Sequence, residues 1–144
     1  MNKAKNPEQI IIERLEHAGK TLIALRETGY RPNLAQRQHD VVRTVWEAFS
    51  WSESPMLRPA PPSSTDISLM EEAYGWILII PESELALRRI VHARSLVHPI
   101  SDREIWSWRK LSVAMNVDHR WVQRRHNEAI KIIKKGLDMW SKRI

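Results

Sequence analysis

Trp108 to Ile130 reads WRKLSVAMNVDHRWVQRRHNEAI, and the reading of this stretch decides the fold. Leu111 and Met115 stand four apart, so a helix places them on one face, where they can be buried together. Asn116 follows at a point where the chain must turn sharply, and Asn is among the few residues that tolerate positive φ. Val117 offers an apolar plug and Asp118 an N-cap for a second helix. The spacing is that of a helix-turn-helix over 108–130.

At about 100° per residue, Val122, His126, Ala129, Ile133 and Trp140 share one side of the second helix. Arg120, Arg124, Asn127, Lys131, Lys135 and Lys142 share the other, flanked by Gln123 and Lys134. Such a helix suits insertion into the major groove of double-stranded DNA. Arg pairs with guanine edges, Gln or Asn with adenine, and Lys neutralises phosphate. Arg120, Gln123, Arg124 and Asn127 are the candidate base readers, and Arg109, Lys110 and Lys131 the candidate phosphate contacts. His119, just inside the second helix, is placed for phosphate or base. The competing reading of a basic stripe is a solvated helix face.

Charge favours the first reading. From Arg103 onward there are 11 Lys and Arg against 4 Asp and Glu, a net of +7; the preceding 102 residues carry 12 against 13. The whole excess of +6 therefore lies in the last third, the electrostatic footprint expected for a polyanion.

The rest of the 144 residues also reads as helix. Asn6-Pro7 opens a helix with the stripe Ile11, Leu15, Ala18, Leu22 and Leu25, widened by Ile12 and Ile23 and ending near Gly29. A second helix is expected from about Leu34 to Ser50, with Val41, Val45, Trp46 and Phe49 available for burial. The four prolines of SESPMLRPAPPSS (Ser52–Ser64) favour extended chain and mark a boundary. Helix resumes at Ser64 or Thr65, with Ile67, Met70, Tyr74 and Ile77 in phase, and Pro81 ends it and opens another. That helix is expected to bury Leu87, Ile90, Val91 and Val97 before His98-Pro99, and a further helix to run from Asp102 to Met115. The expectation is an all-α fold of about six helices, with the C-terminal helix-turn-helix packed on an N-terminal helical lobe. Residues 1–51 form an N-terminal helical pair, 52–64 a proline-rich linker and 65–144 a helical region, as one domain or two small lobes.

Three segments carry a family resemblance: RLEHAGKTL (Arg14–Leu22), RPAPPSSTDISLMEEAYGW (Arg58–Trp76) and the WSWRKLSVAMNV…WVQRRHNEAI unit. Together they resemble a prophage-associated helix-turn-helix family of unknown function from proteobacteria. The last unit is also similar to region 4 of sigma factors. The resemblance implies DNA binding in phage or mobile-element biology, with no enzymatic activity to carry over. His126 departs from it, because such proteins usually carry Leu or Trp at that core position.

Other chemistry finds little support. His92 and His98 are six apart and His119 and His126 seven apart, outside the spacing that joins two ligands on a helix. The chain has no cysteine and four glycines, so neither a thiolate metal site nor a glycine-rich phosphate loop can be built. No metal, no cofactor and no catalysis are expected. Trp46, Trp76 and Trp140 fall on apolar faces and read as core, Trp108 as a wedge between the motif helices, and Trp121 as a core or lobe contact. The longest apolar run, Trp76 to Ile80, is too short to span a bilayer, and no secretory leader is apparent, so a cytoplasmic protein is expected.

Two functional classes follow. The first is a sequence-specific transcriptional regulator. The second is a packaging subunit of terminase type or an assembly adaptor, a homo-oligomer built through its N-terminal helices with Ile10, Ile11 and Ile12 available for self-association. A transcription adaptor contacting RNA polymerase is a third reading.

Overall fold

The computed structural model describes residues 5–27 and 60–142. The helix expected over 34–50, with Trp46, and residues 52–59 of the proline-rich stretch lie outside the described residues. Those described are all-helical: α1 (Pro7–Glu27), α2 (Ser64–Ile77), a 3-10 turn (Glu82–Glu84), α3 (Leu85–Ser95), α4 (Trp108–Met115) and α5 (His119–Ser141).

Helix starts follow local chemistry. Asn6 Oδ1 accepts from the backbone N–H of Glu8 at the head of α1. Ser63 and Asp66 form a reciprocal capping box on α2, each side chain accepting from the other's backbone N–H at 3.1 Å. The bond from the Ser63 backbone N–H to its charged form, helped by the Ser63 side chain, holds the Asp66 carboxyl below the usual aspartate range.

α1 and α2 run antiparallel, as the pairs His17–Asp66 (3.3 Å) and Arg14–Glu72 (3.2 Å) require. Between them lies the main core. α1 contributes Ile11, Leu15, Ala18, Leu22, Ile23 and Leu25, the stripe read from the sequence, and α2 adds Met70, Ala73, Tyr74 and Ile77. The same cluster continues into Leu87 and Val91 of α3 and Ala129, Ile130 and Ile133 of α5. A second, smaller cluster joins Ile90 and Ala93 of α3 to Leu111 of α4 and Val122 of α5.

Two helix boundaries differ from the sequence reading. α3 ends at Ser95, before Val97, which is buried instead in a single antiparallel bridge with Glu104. The helix expected from Asp102 begins only at Trp108. Asp102 has φ 56°, and the backbone N–H of Ile105 donates to Leu96 O, so this segment is a hairpin-like loop. Arg94 fixes the loop by pairing with both oxygens of Glu104 at 2.6 Å and donating to Trp106 O. Its backbone hydrogen bonds run across the loop, which leaves none for a helix over 102–107.

Gly19 explains how closely the end of α3 approaches α1. A Cβ at this position would lie 1.9 Å from Ser95 O and 3.1 Å from Leu96 Cα. Among the described residues no helix is long and apolar enough to cross a membrane.

Candidate nucleic-acid interface

Ser107 caps α4, its hydroxyl accepting from the backbone N–H of Lys110 at 3.2 Å. The helix stops at Asn116, whose φ of 55° and ψ of 48° are left-handed. The backbone N–H groups of Asn116 and Val117 donate back to Val113 O and Ser112 O, closing the helix end. A three-residue turn, Asn116–Asp118, then leads into α5. Asp118 occupies the cap position, but its side chain makes no capping hydrogen bond; its carboxylate lies 3.1 Å from His119 Nδ1. A carboxylate therefore already engages His119, the candidate phosphate or base contact.

α5 divides as helix geometry requires. Val122, His126, Ala129, Ile130 and Ile133 are buried, while Arg120, Arg124, Asn127 and Lys131 are exposed and Gln123 is half-buried at their edge. Arg109 and Lys110 are exposed on α4. Trp140 corrects the sequence reading. It continues the apolar phase of α5 but is 69% exposed, because the helix has by then run past its partners.

The cations fall into two groups. Arg88 donates to Ile80 O at the turn after α2, and Arg94 binds Glu104. Arg125 bridges Glu84 and Glu128 at 2.8 and 2.6 Å and lies over the Trp121 ring. These arginines hold the fold together. Among the described residues, no carboxylate pairs with Arg109, Lys110, Arg120, Arg124 or Lys131. Among the described residues most cations without a partner lie on α4 and α5, where Lys134 and Lys135 join them, but Arg89 of α3 and Arg103 of the loop are free as well.

Beneath them lies an ordered aromatic support. Arg94 sits 3.9 Å above the Trp108 ring, and Trp108 meets the His126 ring in an edge contact with centroids 5.2 Å apart. Trp108 thus wedges α4 against α5, and the His126 ring meets it in an aromatic contact. Burial, reinforced by the Arg94 charge and opposed by Glu104, pushes the His126 imidazole down to about 4. It is neutral at physiological pH. Trp121 packs at the border of the small cluster.

One feature was missed by sequence reasoning. A shallow groove of about 450 Å³ lies over the outer face of α4, lined by Trp106, Arg109, Lys110, Val113 and Ala114. Val113 is 81% exposed. The available signal was an apolar residue two positions, or about 200°, from buried Leu111.

Among the described residues, no group of three His, Asp or Glu side chains is placed to hold a metal ion. In comparisons with known proteins, no family model, no curated protein and no solved structure matches the chain.

Proposed function

We propose that this chain is a sequence-specific double-stranded DNA-binding protein whose α4–turn–α5 unit acts as a helix-turn-helix, in the role of a phage or mobile-element transcriptional regulator. In this reading α5 enters the major groove. Arg120, Gln123, Arg124 and Asn127 read base edges, and Arg109, Lys110, Lys131 and His119 lie along the phosphates. The phage setting rests on the resemblance drawn from the sequence.

The observation that carries the reading is the partition of cations. Most of the unpaired cations among the described residues lie on two turn-linked helices, exposed opposite the buried residues of each, with Arg89 and Arg103 as the free cations elsewhere. The aromatic support beneath them favours a fixed presentation over a mobile one.

The test is selection of random-sequence duplexes by the purified protein at defined salt. An enriched motif is the expected result, and uniform recovery would leave only electrostatic anchoring. Arg124→Ala should weaken the preferred site by about tenfold or more and relax preference at one position. Lys131→Ala should weaken all duplexes alike and lower the salt slope by about 0.9. Indifference of duplex affinity to both changes would show that α5 is not the reading helix.

The packaging or adaptor reading takes the N-terminal helices as the multimer contact, with Ile10, Ile11 and Ile12 available for it. Ile11 is buried, Ile12 packs against the core and only Ile10 is left exposed, at 45%. On the described part of the N-terminal region, α1 therefore leaves little apolar surface for self-association. Solution mass separates the two, a ring of many subunits indicating packaging.

A further inference from the structure

We propose that the groove over α4 receives a deoxyribose of the DNA backbone, with Arg109 and Lys110 on the phosphates to either side. The inference rests on the DNA-binding reading and deepens it by assigning α4 an apolar contact besides its charges. Arg109 and Lys110 are adjacent in sequence, so their side chains diverge by about 100° around the helix. Val113 projects between them one turn later, and Ala114 and Trp106 complete the floor. The result is an apolar strip with a cation on each side. A sugar-phosphate backbone has the complementary pattern, since an apolar sugar face lies between two anions.

An isolated exposed valine needs no explanation. This one differs because it lines a concave surface bordered by an indole and two unpaired cations. Those cations specify an anionic occupant, and the floor specifies an occupant with an apolar segment between its charges. The floor also bears on the choice of sugar. A ribose 2′-hydroxyl pressed against Val113 and Ala114 would lose water without gaining an acceptor, so the groove favours DNA over RNA.

The signature is thermodynamic. Phosphate contacts set the slope of affinity against salt, whereas an apolar contact changes affinity at every salt concentration equally. Val113→Ala is the informative variant, because alanine has the higher helix propensity and the exposed site loses no core packing. For the full-length protein on a duplex of fixed sequence, Val113→Ala should weaken binding about three- to tenfold, the scale of one or two buried methyl groups, with the salt slope unchanged. Lys110→Ala should lower that slope by about 0.9. Val113→Thr should lose severalfold on duplex DNA and change duplex RNA binding little.

If Val113→Ala binds DNA as wild type does while Arg124→Ala and Lys131→Ala are weakened, the groove inference fails and the DNA reading stands. A Val113→Ala variant that alters the salt slope as Lys110→Ala does would overturn the apolar contact. If wild-type protein fails to bind duplex DNA, the reading and the inference fall together.

Discussion

Where α1 meets α2 and the chain after α3, the buried contact is made mostly by aliphatic side chains, with Tyr74 and one glycine, and the Arg14–Glu72 and His17–Asp66 pairs lie at its exposed edge. Where α4 meets α3 and α5, it is made by Leu111 and Val122 set among indoles, an imidazole and an arginine. The first kind of packing depends mainly on shape, its charged groups being partly exposed pairs at the rim that contribute little. The second places a titratable ring and a charged side chain directly behind the face that carries the unpaired cations. The difference teaches that the scaffold and the candidate interface should fail under different insults, and three measurements test whether they do.

The largest effect is expected at the scaffold. Gly19→Ala would place a methyl group against the backbone of Ser95 and Leu96, with no flexible side chain available to move aside. The change should cost more than about 3 kcal/mol, beyond ordinary overpacking, because backbone atoms must shift. Chemical denaturation at neutral pH measures it. A loss below about 1 kcal/mol would show that α1 and the end of α3 at Ser95–Leu96 are less closely joined than the structure has them.

Acid should act on the other region. The His126 imidazole is depressed from about 6.5 to about 4, so between those values the unfolded chain binds a proton that the folded one refuses. Its contribution is intact above pH 6.5 and is lost progressively as pH falls toward 4. The loss between pH 7 and 4.5 should be about 2 kcal/mol from this group. His126→Leu keeps an apolar filling against Trp108 and should flatten that part of the stability profile. Equal acid sensitivity in wild type and variant would mean that the buried imidazole does not govern the α4–α5 contact.

Much of this architecture is legible in the sequence, for local reasons. The stripe of α1, the capping serine and the left-handed asparagine depend on neighbours within a turn or two of chain. The partition of the arginines does not. Arg125 and Arg124 are consecutive, and what separates them is Glu84, forty-one residues from Arg125 and brought there by the packing of α3 on α5. The groove over α4 depends likewise on Trp106, whose place is set by a loop that periodicity read as helix. Sequence reasoning chose the candidate interface through the charge pattern. It could not sort the cations that hold the fold from those left free.

Trp140 gives the smallest expected effect and a sharp test of the same point. Its phase is correct: Val122, His126, Ala129, Ile133 and Gly136 lead to it at alternating intervals of three and four. Phase gives the side of the helix and says nothing about how far the partner extends. At Gly136 the helix still touches α2's end, since a Cβ there would lie 2.4 Å from Ile79 Cγ2. One turn later Met139 and Trp140 are 54% and 69% exposed. Trp140→Ala should therefore change stability by less than about 0.5 kcal/mol, as surface substitutions do, against the 3–5 kcal/mol typical of a buried tryptophan. Denaturant unfolding of the variant, with acrylamide quenching of tryptophan emission in the native state, measures both the energy and the exposure. A loss on the buried scale would place a partner over the end of α5 and move the limit of the scaffold one turn further along the helix.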